Sequence, residues 1–323
     1  MADMDYLFAV ARIRVLEKKL LSGADIEQMI AMPDTDRVTA FLEEKGWGSS
    51  DAGQKGEGIL AAEEEKLRGL AKELRVDESI FELLSYTDLY QNLKAAIKTV
   101  LTNDAHPNVF VSHPQYGEAR MLSIVREKKF EELPEHMREA AAEAYEALLT
   151  IRDGQLCDVI LDRAALTAIG EAGKRSREKI LRDYARLFVA VHDIRIAVRS
   201  AAAHKERTFL ARAIAPSEAL DEKRLIETAA IGTDAVIDYL SGTEYRGAAE
   251  ALQKSATAFD LWCDDHLMEM IKPQKYNSVS SGPVVAYRLA RENEIRMARI
   301  ILTAKANGLP EEAIRERARE MYV

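Results

Sequence analysis

Three groups of residues have types and spacings that chemistry could use, and the first is a glycine-rich stretch. Residues 48–55 read GSSDAGQK, with Gly48 and Gly53 spaced as in a phosphate-binding loop. However, Lys55 is displaced by one position and neither serine nor threonine follows it. The residues before the stretch do not have the pattern of a strand that would aim backbone amides at a phosphate. We therefore interpret the stretch as a loop rather than a nucleotide site.

The other two groups could bind metal. Cys263 and His266 stand three residues apart, which would place both on one face of a helix. His192 is followed by Asp193, as in some metal-dependent phosphohydrolases. Neither pair has the further ligands that such sites need, because the chain contains two cysteines and six histidines in all. We expect Cys263 to face the core and the two acidic residues that follow it to face water. The sequence therefore predicts no metal site and no cofactor.

The composition excludes several classes of function. Of 323 residues, 47% are hydrophobic and 31% are charged, which is typical of a folded protein with a solvated surface. The net charge is -9 and no basic run occurs, so we expect no nucleic-acid partner. The sequence lacks the GxSxG, HExxH and GxGxxG motifs, so we expect no enzyme, no catalytic residue and no small-molecule substrate. An acidic N-terminus and the absence of a long apolar run predict an intracellular chain without a membrane span.

The elements that would position these residues are helices. Alanine, leucine, glutamate, lysine and arginine dominate, and only residues 108–111 resemble a strand, so the fold class is predicted to be all-α. A proline followed by an acidic residue is typical of a helix start. Helices are expected to begin at Pro33, Pro134, Pro216 and Pro310. Asn307 and Gly308 are expected to end a long helix near Ala306. Loops are expected at three stretches: 46–58, 103–117 and 272–283.

An internal repeat organises the chain. The same triplet occurs in three helical segments, at 92–94, 193–195 and 294–296. Its first residue is polar, its second is leucine or isoleucine, and its third is basic. Its basic residue recurs after 101 positions, from Lys94 to Arg195 and again from Arg195 to Arg296. A weaker copy near residue 13 breaks this period. The repeat predicts three helical domains: 1–105, 106–205 and 206–323.

The C-terminal part of the sequence resembles a known family. Residues 282–310 read GPVVAYRLARENEIRMARIILTAKANGLP. The order of aromatic residue, acidic-Ile-basic triplet, Arg-Ile-Ile, Lys and Asn-Gly-Leu-Pro closely resembles the C subunit of V-type and A-type ATPases, called the d subunit in eukaryotes. Residues 193–200 and 240–245 resemble other parts of that family, and the resemblance spans the chain. Asp193 differs from the family pattern, in which an asparagine is expected, and Arg12 replaces a polar residue.

The resemblance implies a fold and a function. The fold would be a funnel of three similar helical domains around a pseudo-threefold axis. The function would be that of a non-catalytic rotor subunit that couples the central-stalk subunits to the membrane rotor ring and transmits torque for ATP-linked ion transport. The chain would be peripheral, on the cytoplasmic side of a membrane, with one copy per complex, and monomeric on its own.

The repeated basic residues have two interpretations. If the three blocks are related by rotation, Lys94, Arg195 and Arg296 are equivalent and could line an opening that grips a stalk helix. Alternatively, each pairs with a carboxylate on a neighbouring helix and holds the repeats together. Two other functional classes also fit the sequence. One is a helical-repeat adaptor for another protein partner, and the other is a helical hydrolase whose carboxylates form no recognisable motif.

Overall fold

The described residues fold into helices joined by short connections. A computed structural model describes residues 6–49, 56–102 and 109–323. Within these ranges the chain forms seventeen α-helices and no β-strand, so the predicted all-α fold is confirmed. Residues 109–111, part of the stretch that resembles a strand, are irregular, and Asn108 lies outside the described residues. None of the described helices has the length and apolar character needed to cross a membrane.

The described helices range from 5 to 25 residues in length. In chain order they are α1 (Leu7–Glu17), α2 (Gly23–Ala31), α3 (Thr35–Glu44), α4 (Gly56–Arg68), α5 (Leu70–Leu74), α6 (Tyr86–Thr102), α7 (Glu118–Glu127), α8 (Glu135–Glu146), α9 (Gly154–Arg175), α10 (Lys179–Ala202), α11 (Arg207–Ala213), α12 (Glu222–Ile231), α13 (Thr233–Ser241), α14 (Arg246–Lys254), α15 (Ala256–Ile271), α16 (Gly282–Ala306) and α17 (Glu311–Arg315). The three helices that carry the repeated triplet, α6, α10 and α16, are among the longest.

The chain divides into two compact units. Unit 1 consists of Met1–Ile80, Glu178–Ile180 and Tyr245–Val323. Unit 2 consists of Phe81–Arg177 and Leu181–Glu244. Unit 1 therefore combines the two ends of the sequence, whereas unit 2 is built almost entirely from its middle. The predicted division into three blocks concerns repeats along the sequence and stays a prediction.

Polar side chains begin several of the helices. Ser22 and Asp25 form a reciprocal pair of hydrogen bonds with each other's backbone N–H at the start of α2. Asp34, Asp153 and Asp221 accept backbone N–H groups at the starts of α3, α9 and α12. Each side chain satisfies donors that have no partner within the helix, so these residues fix where the helices begin.

The predicted helix ends can be compared with the observed ones. Helices α8 and α17 begin directly after Pro134 and Pro310, and α3 begins two residues after Pro33, as expected. The expected start at Pro216 is wrong, because α12 begins only at Glu222. Helix α16 ends at Ala306, and Gly308 has a φ of 66°, which confirms the predicted stop.

The predicted loops agree with the structure only in part. Helix α4 already begins at Gly56, inside the expected loop 46–58, and residues 50–55 of that loop lie outside the described residues. Lys272–Tyr276 forms a tight helical turn within the expected loop 272–283.

The core of unit 1 is assembled from both ends of the chain. Leu21, Ile26 and Met29 from the N-terminal part pack with Ile295 and Ile301 of α16, and all five side chains are buried. Helix α16 also contacts α1 and α4. Burial of such side chains is the main source of folding free energy, so the N-terminal helices depend on α16 for a large part of their stability.

Helices α9 and α10 in unit 2 approach each other closely at a glycine. A Cβ atom added to Gly173 would lie 2.3 Å from the Cβ atom of Ala185, which is shorter than any van der Waals contact. A Cβ atom at Gly170, one turn earlier on the same helix, would instead lie 3.7 Å from Val189, an ordinary contact. The absence of a side chain at Gly173 therefore sets the spacing of these helices.

These two glycines give a matched test of the packing. We expect Gly173→Ala to lower the free energy of unfolding by about 1–3 kcal/mol, because the clash outweighs the better helix propensity of alanine. Gly170→Ala should instead raise it slightly, by up to about 1 kcal/mol. Urea denaturation of both variants measures the difference. Equal stability of the two variants would contradict the close approach.

Candidate functional site

The polar residue of each repeated triplet is buried. Asn92 on α6, Asp193 on α10 and Glu294 on α16 are at most 1% exposed, although polar side chains usually face water. Each accepts a hydrogen bond from a backbone N–H group that lies far away in the sequence. We refer to Asn92, Asp193 and Glu294 as the clamp residues.

Asn92 is the clamp residue with the most complete set of partners. Its Oδ1 accepts the N–H of Val111 at 2.7 Å, and its Nδ2 donates to the carbonyl oxygens of Val111 at 2.8 Å and Tyr116 at 3.0 Å. A side-chain amide can donate and accept at once, so Asn92 satisfies three backbone groups of the segment that leads into α7. These bonds attach that segment to α6.

Asp193 makes a simpler contact. Its Oδ1 accepts the N–H of Ala215 at 2.9 Å, and its Oδ2 is buried without a hydrogen-bond partner among the described residues. Burial raises the pKa of the Asp193 carboxyl to about 8, although the Ala215 N–H opposes this shift, and Glu222 raises the pKa further. Burial therefore favours the protonated, neutral form of this carboxyl. The bond to Ala215 holds Pro216 in a loop, which explains why no helix begins at that proline.

Glu294 belongs to a charged network in unit 1. Its carboxyl accepts the N–H of Leu21 and pairs with Arg291, which also pairs with Glu63. The Arg291 guanidinium lies 4.6 Å from the centre of the Trp47 ring. Burial raises the pKa of the Glu294 carboxyl, whereas Arg291 and the Leu21 N–H lower it. The network keeps two carboxyls and one guanidinium in the interior without an isolated charge.

The partners of the clamp residues follow an order along the sequence. Val111, Ala215 and Leu21 each lie shortly before a helix, respectively α7, α12 and α2. Asn92 of the first triplet holds the segment before α7, and Asp193 of the second holds the segment before α12. Glu294 of the last triplet holds the segment before α2, near the start of the chain. The last repeat therefore contacts the first part of the sequence, as each earlier repeat contacts the part that follows it.

Sequence reasoning emphasised the basic residue of each triplet instead. Lys94 lies 2.5 Å from Asp162 on α9, and its side chain is 18% exposed. Arg296 lies 3.7 Å from Asp264 on α15 and is 58% exposed. Arg195 is partly buried on α10. Lys94 and Arg195 belong to unit 2 and Arg296 to unit 1. The polar residues recur with the same 101-residue period, so the sequence marked the positions of the clamp residues but not their burial.

The remaining candidates for chemistry have structural explanations where they are described. Cys263 is fully buried, as expected, and the His266 ring stacks on Trp262 at 4.7 Å. The expectation that the adjacent acidic residues face water is wrong for Asp264, whose side chain is 11% exposed, and Asp265 is only partly buried. Asp264 accepts a hydrogen bond from the Arg319 side chain at 2.7 Å, and Asp265 accepts the N–H of Glu320 at 2.7 Å. These bonds attach the C-terminal segment to α15.

No metal site emerges from the described ranges. They contain no group of three or more histidine, cysteine, aspartate or glutamate residues that could hold an ion. His192 stacks on Phe188 with 4.0 Å between ring centres, and its Nδ1 lies 2.8 Å from the Phe188 carbonyl oxygen. Most of the glycine-rich stretch 48–55 lies outside the described residues, so the interpretation of it as a loop stays a prediction.

Comparison with known proteins decides the family. The family model described as ATP synthase (C/AC39) subunit matches residues 9–317, a range that includes all three clamp residues and their partners. The chain belongs to the ATP synthase (C/AC39) subunit family. It is also 22% identical over 326 residues to the C subunit of a V-type sodium ATPase from Enterococcus hirae, and the match covers 99% of each chain.

Membership of the C/AC39 family decides the general role. The family consists of structural subunits of V-type ATPases, so this chain is a subunit of such a complex and not its catalytic part. Buried clamp residues suit this role, because they hold backbone segments and are not open to a substrate.

The buried carboxyl of Asp193 makes stability depend on pH. Its pKa is about 8 in the folded chain and 3.8 as the reference value for an unfolded one. Between these values the folded state binds one more proton than the unfolded state, so stability falls as pH rises. Asp193→Asn keeps the shape and removes the titration. We expect the stability of this variant relative to the original chain to increase by about 1 kcal/mol per pH unit between roughly pH 5 and 7.

Urea denaturation across that pH range measures this effect. Asp238 is exposed on α13, so Asp238→Asn is the matched control and should parallel the original chain. A relative stability of Asp193→Asn that did not change with pH would show that Asp193 is ionised in the folded chain.

Proposed function

We propose that this chain is a rotor subunit of its V-type ATPase, joining the central stalk to the membrane proteolipid ring and transmitting torque between them. The observation that carries the proposal is the family match over residues 9–317. The relative from Enterococcus hirae, which is similar over its whole length, is named as the C subunit of a V-type sodium ATPase. For this chain we extend the role to ATP-linked ion transport, from a peripheral position on the cytoplasmic side of the membrane.

The clamp residues support this mechanical role. A subunit that transmits torque must resist local opening of its loops, because an opening segment would absorb the applied force. Asn92, Asp193 and Glu294 fix three segments to long helices by hydrogen bonds from buried side chains, and leaving such a side chain without its partner is costly. Stiffness of this kind requires no catalytic group.

The recurrence of the clamp residues also supports the three predicted blocks. Two of the segments that they hold contain residues 111 and 215, which lie 5 and 9 positions after the predicted boundaries at 106 and 206, and the third contains residue 21 of the first block. We include this division, with one copy of the chain per complex, in the proposal.

The repeated basic residues are proposed to differ in role. Lys94 is mostly buried and lies 2.5 Å from Asp162, so we assign it to an ion pair between α6 and α9. Arg296 is 58% exposed and 3.7 Å from Asp264, a weak pairing that leaves its guanidinium accessible to a protein of the stalk. For Arg195, partly buried on α10, we retain the role of a contact between helices.

Deletion of the gene tests the proposed coupling. In inverted membrane vesicles from the deletion strain, we expect ATP-driven ion uptake to fall to background. ATP hydrolysis by the head should persist, because the catalytic subunits remain. A plasmid copy of the chain should restore uptake, and the tagged chain should isolate together with stalk and ring subunits. Unchanged ion uptake would contradict the proposal, and isolation with unrelated proteins alone would favour an adaptor.

A charge exchange tests the role of Lys94. Lys94→Asp should lower the free energy of unfolding by about 1 kcal/mol, because two carboxylates would then face each other at a site that is half exposed on the Asp162 side. Adding Asp162→Lys should recover most of this loss if the ion pair is structural. Binding of the doubly exchanged chain to purified stalk subunits should then equal that of the original chain. Weaker binding despite recovered stability would assign Lys94 to stalk docking.

Arg296→Glu is the comparison variant, and we expect it to weaken stalk binding with little loss of stability.

A further inference from the structure

Exposed apolar side chains are concentrated on one part of unit 1. Ten large hydrophobic side chains are exposed among the described residues, and six of them lie on α1, on the segment before α16 or at the C-terminus. These six are Leu7, Phe8, Val15, Tyr276, Val279 and Val323. Folded proteins rarely leave such groups clustered at the surface without a binding function.

Hydrogen bonds hold these three segments together. The Arg14 guanidinium donates to the carbonyl oxygens of Gln274, at 2.9 Å, and of Asn277. The Tyr322 hydroxyl donates to Glu17 at 3.1 Å. Helix α1, the turn around Tyr276 and the C-terminus are therefore neighbours in unit 1. We refer to the six exposed side chains named above as the α1 surface.

Two lysines beside α1 lack a carboxylate partner among the described residues, although Arg12 on α1 pairs with Glu73 and Lys272 pairs with Glu320. Lys18 and Lys19 follow α1 directly, and both are exposed. Neither pairs with a carboxylate in the parts of the chain that the structure describes. The nearest acidic residue along the chain, Glu17, already pairs with Arg14 at 2.7 Å. The surface thus combines apolar groups with two cations, although the chain as a whole has a net charge of -9.

Apolar side chains and a lysine lie along the same exposed face of α1. Leu7, Ala11 and Val15 are spaced by four residues and share one exposed face of α1, and Lys18 follows three residues later. Tyr276, which is 88% exposed, adds an aromatic ring with a polar end. Aromatic rings with polar ends, lysines and aliphatic side chains are the residue types that bind at the interface between a bilayer and water.

We propose that the α1 surface binds the surface of an anionic lipid bilayer. The apolar side chains would enter the interfacial layer, and Lys18 and Lys19 would contact lipid phosphates. Lysines on flexible stems suit the diffuse negative charge of a bilayer. The acidic remainder of the chain is repelled by the same bilayer, which favours an orientation with α1 towards the lipid.

This proposal goes beyond subunit assembly, because it assigns a direct contact with lipid to the isolated chain. It is tested with the full-length chain and lipid vesicles by flotation. We expect binding to phosphatidylcholine vesicles that contain about one third phosphatidylglycerol, and little binding to phosphatidylcholine alone. Binding should weaken as salt rises, since the attraction is partly electrostatic.

Two double variants separate the contributions. Lys18→Gln with Lys19→Gln should weaken binding to the anionic vesicles by about fivefold per lysine. Val15→Ser with Tyr276→Ser should weaken it by at least about fivefold at unchanged salt dependence, because apolar area is lost. Ile231→Ser is the matched control. Ile231 is 79% exposed on unit 2, and its replacement should not change binding.

The outcomes are decisive because all altered side chains are exposed and the thermal midpoint of each variant can be measured. The lipid proposal is overturned if the original chain does not bind anionic vesicles, or if both double variants bind as well as the original. Normal ATP-driven ion uptake with a variant that no longer binds vesicles would leave the proposed rotor function intact. Loss of stalk and ring partners with normal vesicle binding would overturn the rotor function alone.

Discussion

A backbone N–H group that is removed from water must find another acceptor, and the described structure depends on how three of these groups are satisfied. The N–H groups of Leu21, Val111 and Ala215 lie in irregular segments, so no helix supplies their acceptors. Buried side chains on the long helices α16, α6 and α10 supply them instead. Each such bond fixes the path of a connecting segment and therefore the position at which the next helix begins.

The three clamp residues achieve this with different chemistry. Asn92 is neutral and satisfies donors and acceptors together, whereas burial raises the pKa of Asp193 and so favours its protonated form. Glu294 is compensated by Arg291, which requires Glu63 as a second partner. An ion network in the interior contributes little net stability relative to apolar packing, but losing one member leaves a buried charge. The third clamp therefore tolerates substitution least, and it is the one that joins the two ends of the chain.

The sequence predicted the helices well because their signals are local. The all-α composition, the 101-residue period and the stop at Gly308 depend on neighbouring residues or on repetition, and the structure contains the helices and the stop.

The errors in the sequence-based predictions concern partners that are distant in sequence. Pro216 has a local pattern typical of a helix start, yet the bond from Ala215 to Asp193 holds it in a loop. Asp264 has the pattern of a solvated residue, yet Arg319 pairs with it. The function of the repeat was likewise assigned to its basic residue, because a buried polar residue cannot be distinguished from an exposed one without its partner.

Unit 1 also constrains the order in which the chain can fold. Its N-terminal helices bury Leu21, Ile26 and Met29 in a cluster with Ile295 and Ile301, so this cluster is incomplete until α16 has been synthesised. Loop closure over such a distance is slow and costs entropy before the contacts form. Unit 2 has no such requirement, because almost all of it is one stretch from Phe81 to Glu244. The residues of unit 2 are therefore all available before α16 is synthesised, whereas the bond between Leu21 and Glu294 requires α16. The contact that joins the ends of the chain is thus the one that forms only after the complete helix α16 is available.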